Sequence, residues 1–285
     1  MRTEKEMFDL ILGIAKADER VKAVLMVGSR ANPNAPKDIY QDYDITYFVR
    51  DVSPFYNNLD WIEQNFGKPM IMQLPENMSH PLLAPEGDGH FIYLMIFEDG
   101  NRIDLSIEYT PYFDDGEPAI VLLDKDGFLP NIPIPTDKHW YIKPPTKELF
   151  SDCCNEFWWS LNNVGKGIAR DELPYVMEMF NHYIRDMLNQ MVDWYIGIKT
   201  NFSVSSGKMG KYYKRHLSSH LYDMYAKTYS DSDYDNLWAA VFTACELFRV
   251  IATSVAEHFS FTYNKDEEIG IMKYLNWVKV QQTSP

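Results

Sequence analysis

Val21-Lys22-Ala23-Val24-Leu25-Met26-Val27-Gly28-Ser29-Arg30-Ala31, followed by Gln41-Asp42-Tyr43-Asp44, sets the architecture of this 285-residue chain. Six of its first seven residues are apolar and three of these are β-branched, the pattern of a buried strand. Small residues then turn the chain: Gly28 lets backbone approach a phosphate closely, and Ser29 adds a hydroxyl donor. Tyr43 to Val49 reads as a second strand. Alternate side chains of a strand share a face, so Asp42 and Asp44 lie on one side, about 7 Å apart along the chain. Two carboxylates so placed can converge on one cation. Magnesium takes hard oxygen ligands and usually keeps one or two protein carboxylates, completing its shell with water and substrate phosphates. Each half of the pattern also has an ordinary explanation, because D-x-D pairs are common at solvated strand ends.

A third acid strengthens the metal reading. Arg102-Ile103-Asp104-Leu105-Ser106-Ile107 alternates like a strand with Asp104 in its middle, and an acid there is costly to bury unpaired. A cation is the simplest partner. The preceding strand, Phe91 to Phe97, connects through Glu98-Asp99-Gly100-Asn101, whose Asp-Gly core is a strong hairpin signal. A phosphate turn, two paired carboxylates and a third acid form the layout of a metal-dependent nucleotidyl-transfer site.

These motifs resemble the nucleotidyltransferase superfamily. Gly28 to Pro33, Tyr40 to Ile45, Met70 to Gln73, Phe97 to Leu105 and Gly207-Lys208-Met209-Gly210-Lys211-Tyr212 together resemble the bacterial aminoglycoside 6-adenylyltransferases, over nearly the whole chain. The resemblance implies an α+β protein: a nucleotidyltransferase-type mixed β-sheet domain with helices, α/β in character, then an all-helical C-terminal domain. It implies transfer of AMP from ATP to a hydroxyl of an aminoglycoside, the 6-hydroxyl of streptomycin, which inactivates the drug. Asp42, Asp44 and Asp104 would be the catalytic and metal-binding residues for one or two Mg2+ ions. Gly28, Ser29 and Arg30 would fix the nucleotide phosphates from the sheet side, with Lys208, Lys211 and Tyr212 as further nucleotide-binding residues.

The net charge is -14, with 27 Lys and Arg against 41 Asp and Glu. That balance argues against a nucleic-acid acceptor, because phosphate backbones are bound by basic excess. A polycationic small molecule would be attracted instead, although acidity also serves solubility. Cys153, Cys154 and Cys245 have neither disulfide-framework nor zinc spacing and read as buried small residues. Met1 to Glu6 is charged and lacks a signal-peptide core, and no run of 18 apolar residues is evident, so a cytoplasmic protein without membrane contact is expected; a monomer is expected as well.

Along the chain, an amphipathic helix over 4–17 precedes strands near 21–27, 43–49, 69–74, 91–97 and 102–108, with a helix near 56–66. Pro130, Pro133, Pro135, Pro144 and Pro145 interrupt the pattern. Domains are therefore expected at 1–135 and 146–285, with a linker over 128–145. The second has helical spacing from Thr146, with later helices near 174–199, 208–227, 233–258 and 266–279.

The 174–199 helix carries a stripe of Tyr175, Met179, Tyr183, Met187 and Met191 that reads as packing. Beside it run Glu178, His182, Asp186 and Asp193. Such a stripe is ordinarily a solvated face. Alternatively Glu178 and Asp186 bind the acceptor's guanidinium or ammonium groups, with Trp194 as a ring contact. Gly207 to His216 is a concentrated basic run in an acidic chain; it fits either a solvated patch or a triphosphate, without P-loop spacing. The expected chemistry is in-line attack of the acceptor hydroxyl on the α-phosphorus, Asp104 serving as metal ligand or general base. A different acceptor, and a non-catalytic nucleotide-binding relative, are the competing readings.

Overall fold

The computed structural model describes residues 1–79, 90–109 and 116–282. The chain divides into two compact units, Met1–His139 and Trp140–Pro285. The first opens with helix α1 (Glu4–Ala17), whose start is closed by a capping box: the Thr3 hydroxyl accepts from Glu6 N, and the Glu6 carboxylate accepts from Thr3 N. Strand β1 (Val21–Met26), the single turn α2 (Gly28–Ala31), β2 (Tyr43–Val49) and α3 (Leu59–Phe66) follow. The sheet is completed by β3 (Ile71–Gln73), β4 (His90–Ile96), β5 (Arg102–Glu108) and β6 (Ile120–Asp124).

Strand order is β3-β4-β5-β2-β1-β6. Every neighbouring pair is antiparallel except β2 with β5, which run parallel. The β4–β5 hairpin turns where the Asp-Gly pair predicts: Gly100 sits at φ +81°, its N–H donating to Phe97 O at 2.9 Å. Strand β6 is not apparent in the sequence. Its five residues show no in-and-out alternation, and it gains its place by pairing with β1.

One sheet face, with Tyr43, Tyr47, Phe91, Tyr93, Ile103 and Leu105, forms the main core together with Met7 and Ile11 of α1 and Trp61 and Ile62 of α3. On the opposite face Ala23, Leu25 and Phe48 are covered by Phe128, Leu129 and Ile132. Asp124 fastens that cover by accepting from the N–H groups of Phe128 and Leu129 at 2.7 and 3.1 Å. Residues 128–132, at the start of the proline-marked segment, are thus packed on the sheet. Asp44, Arg102, Asp104, Ser106 and Glu108 share this face and are part-exposed.

The second unit contains α4 (Lys147–Ala169), α5 (Leu173–Glu178), a π-helical turn over Met179–Ile184, α6 (Arg185–Lys199), α7 (Tyr213–His216), α8 (Ser219–Ala226), α9 (Tyr234–Phe259) and α10 (Lys265–Gln282). Its core stacks Phe157 of α4 on Phe248 of α9 at 3.8 Å between centroids, with Trp158 edge-on to both. Among the described residues one helix, α9, is long and apolar enough by length and composition to cross a membrane, with a mean hydropathy of 1.5, although Glu246 and Arg249 interrupt its apolar sequence. Most of its apolar side chains, among them Leu237, Trp238, Leu247, Phe248, Ile251 and Val255, are packed in this core, which accounts for so apolar a helix. The three cysteines are buried and unpaired, as expected.

Two helix expectations change. The 174–199 segment is helical with a π turn over Met179–Ile184, and the expected packing stripe divides: Met179 and Met191 are buried while Tyr175 and Tyr183 are exposed. The expected 208–227 helix breaks into a 3-10 turn over Lys208–Gly210 followed by α7 and α8. Met209 at φ +57° and Gly210 at φ +73° cannot continue a right-handed helix, and Ser218 caps α8 afresh through Leu221 N.

Candidate active site

Parallel pairing of β2 with β5 sets Asp44 directly opposite Asp104. Continuing that register back by one residue sets Asp42 beside Arg102. Two residues advance each strand by one position on the same face, so the sheet presents a square of Asp42, Asp44, Arg102 and Asp104. Val27 N–H donates to Asp44 O at 3.0 Å, bringing the end of β1 against it. Gly28 then takes φ +69°, and a Cβ built there would stand 2.2 Å from Asp44 Oδ2. Glycine is required at this position twice over, by its backbone conformation and by the carboxylate against it.

The cation that meets Asp104 is Arg102. Its Nε and Nη2 donate to the two Asp104 oxygens at 2.7 and 2.6 Å, and its Nη1 lies 3.4 Å from Asp42 Oδ2. Asp44 is the least compensated of the acids. Burial, then the carboxylates of Asp104, Asp42 and Glu117, push its carboxyl from the ordinary 3.8 up to about 6, with Arg102 opposing. Burial also raises Asp42, the nearby Arg102 guanidinium acting against it.

Arg30 has a different occupation from the phosphate contact expected of it. Its guanidinium donates to Asp42 O at 3.0 Å, Gln41 O at 2.9 Å and Glu4 Oε1 at 3.0 Å, and lies 3.8 Å from the Tyr43 ring centroid. It therefore holds the backbone that carries Asp42. Gln41 Nε2 in turn donates to Ser29 O at 3.2 Å, tying the same backbone to the Gly28 turn.

In the helical unit, Lys208 and Lys211 are exposed on a tight loop. Gly207, at φ +74°, allows the packing: a Cβ there would come within 2.7 Å of Lys211 Cγ and 2.8 Å of the Tyr212 ring. The Tyr212 ring lies under Arg215, 4.5 Å from its guanidinium carbon. Glu178 and Asp186 are exposed, and Glu178 Oε2 lies 3.3 Å from His182 Nε2. Trp194 is 5 % exposed, in the helical core. Expected as a ring contact to the acceptor, it packs here among the helices.

Sequence reasoning missed Arg102 and Glu117 as members of the acid cluster. Arg102 was legible, because it precedes Asp104 by two residues on an alternating strand. Glu117 was not, since it reaches Asp44 from the segment before β6.

Among the described residues no three acidic, imidazole or thiol groups are gathered as a ready metal cage. The donor chemistry nevertheless fits a divalent cation: three carboxylates share one face, Asp44 is held against two others, and a guanidinium bridges Asp42 to Asp104.

Comparison with known proteins covers the chain almost entirely. Residues 1–278 match the family described as streptomycin adenylyltransferase. An aminoglycoside 6-adenylyltransferase of Bacillus subtilis is 42% identical, covering 96% of this chain and 97% of its own length. One of Campylobacter jejuni is 38% identical, covering 95% of this chain and 94% of its own length. A crystal structure of an aminoglycoside 6-adenyltransferase from Bacillus subtilis aligns with TM-score 0.48 at 37% identity, covering 98% of this chain and 99% of that one.

Proposed function

The chain belongs to the streptomycin adenylyltransferase family, and from that membership we propose that it transfers AMP from ATP to a hydroxyl of an aminoglycoside, the 6-hydroxyl of streptomycin. The observation that carries the reading is the register that sets Asp44 opposite Asp104, with the Gly28 turn packed on Asp44. The acceptor oxygen forms a bond to the α-phosphorus, the bond to pyrophosphate breaks, and the hydroxyl proton leaves to a base. Positioning and charge neutralisation supply most of the acceleration in such transfers.

Asp42 and Asp44 would hold Mg2+, with Asp104 as third ligand or base. The ion would neutralise phosphate charge and lower the pKa of the attacking hydroxyl. Asp104 gains either role once Arg102 leaves it, since the guanidinium occupies both of its oxygens. Gly28 and Ser29 present backbone and hydroxyl to the phosphates. Arg30 positions Asp42 instead of binding phosphate. Arg30→Lys keeps a charge but loses the fork, and is expected to lower kcat by about 10–100-fold with ATP affinity nearly unchanged. Equilibrium ATP binding checks this; an affinity loss as large as the kcat loss would return Arg30 to the phosphates.

For the helical unit, the same reading assigns Lys208, Lys211 and Tyr212 to the nucleotide, and Glu178 and Asp186 to the acceptor's cationic groups. The exposure of the two lysines and the two acids supports it. Glu178→Gln with Asp186→Asn is expected to raise the acceptor KM by about tenfold with ATP KM unchanged; an unmoved acceptor KM would make this a solvated face.

Pyrophosphate release from Mg-ATP tests the function, with streptomycin, a panel of deoxystreptamine aminoglycosides and a no-acceptor control. Release with streptomycin alone is expected. Release with another acceptor would redirect the substrate assignment, and no release despite ATP binding would overturn it.

A further inference from the structure

Two arginines stand at the acid cluster, and they are held differently. Arg30 is tied to two backbone carbonyls, Glu4 and the face of Tyr43, and its side chain is 9% exposed. Arg102 is tied to the carboxylates themselves, through the forked contact to Asp104 and the 3.4 Å contact to Asp42, and its side chain is 40% exposed. Arg30 keeps its partners whatever happens at the carboxylates. The partners of Arg102 are the groups that a divalent cation needs.

On the active-site reading above, we propose that Arg102 is a resident counterion: it keeps Asp42 and Asp104 assembled while the nucleotide is absent, and yields them when cation and triphosphate arrive together. A guanidinium and a divalent cation cannot share the same carboxylate oxygens, because like charges a few ångströms apart repel strongly near a protein surface. The released fork suits phosphate oxygens, which it can engage in pairs. Lost contacts to Asp104 are thereby replaced by contacts to the incoming nucleotide. Cation alone must compete with a tethered positive charge, whereas cation with nucleotide supplies that charge with a new partner. Cation and nucleotide therefore bind with positive coupling, and the coupling is reciprocal.

Titration of the full-length protein with Mn2+ alone, without nucleotide, tests this by calorimetry or by the spin signal of free ion. Arg102→Met is expected to bind Mn2+ at least about tenfold tighter than wild type. It should also lose most of the enhancement that a non-hydrolysable ATP analogue gives wild type. Equal or weaker Mn2+ binding by a folded Arg102→Met protein overturns the proposal. If that variant does not fold, Arg102→Lys carries the test. A point charge without the fork should still raise Mn2+ affinity by about threefold or more, and no change overturns the proposal. Asp44→Asn separates the two readings. It should bind Mn2+ poorly; binding equal to wild type would overturn the active-site assignment itself, whereas weak binding with an unaltered Arg102→Met leaves that assignment standing and removes only the role of Arg102.

Discussion

Asp44→Asn is expected to lower AMP transfer by at least about 10²–10³-fold while making the cation-free protein more stable at pH 8. The activity loss follows from removing the central carboxylate of the cluster, opposite Asp104 and beneath the Gly28 turn. The stability gain follows from proton linkage. In the unfolded chain the Asp44 carboxyl has its ordinary value near 3.8, and in the folded protein it is pushed up to about 6. Between those values the folded state binds more protons than the unfolded one, so stability falls as pH rises through the window. Above pH 6 the whole deficit is present, on the order of 1–3 kcal/mol for a shift of this size. Asparagine carries no charge and escapes it. Melting curves at pH 8 should place the variant above wild type, and the difference should shrink as the pH falls toward 4. Adding Mg2+ should narrow the gap at pH 8 by stabilising wild type alone. A variant that is less stable than wild type at pH 8, or that transfers AMP at a near wild-type rate, would overturn the assignment.

Gly28→Ala is expected to lose activity on a similar scale, for a steric reason. Alanine at φ +69° is strained by about 1 kcal/mol or more, and its Cβ would lie 2.2 Å from Asp44 Oδ2 and 2.9 Å from Asp44 Cγ. One of the two must move. The Val27 N–H to Asp44 O bond fixes the backbone on both sides, so the carboxylate side chain is what gives way, and a displacement of about 1 Å can cost about 10²-fold in rate. Gly67→Ala is the control. Gly67 also has positive φ, +89°, but nothing lies within 4 Å of its Cβ position. That variant should lose about 1–3 kcal/mol of stability and keep its kcat. Steady-state kinetics and melting temperatures of the pair distinguish the two causes. Equal losses of kcat in both variants would make the Gly28 effect one of backbone strain and not of contact with Asp44.

Much of the site was legible because its signals are local. Gly28, Asp42, Asp44 and Asp104 lie at turn or alternating strand positions, and the Asp99-Gly100 hairpin places β4 against β5 in the expected manner. Less legible were features that depend on a distant partner. Strand β6 exists through pairing with β1, and the apolar content of α9 serves the helices packed on its buried side. Met209 interrupts a helical pattern by adopting a left-handed conformation that its residue type does not announce.

The division between chain and fold is sharpest at the arginines. Spacing along the sequence placed Asp42 and Asp44 on one face and Asp104 on another strand, because the two-residue period of a strand is a property of the backbone. It could not say that the second strand lies parallel beside the first, which makes Asp44 and Asp104 neighbours. Nor could it sort Arg30 from Arg102. Both are arginines close in sequence to the acids, yet one is anchored to backbone carbonyls and the other bridges carboxylates. The reason is that a guanidinium takes whichever acceptors are within reach, and reach is set by strand register and by the turn at Gly28, which arise only when distant segments pack together.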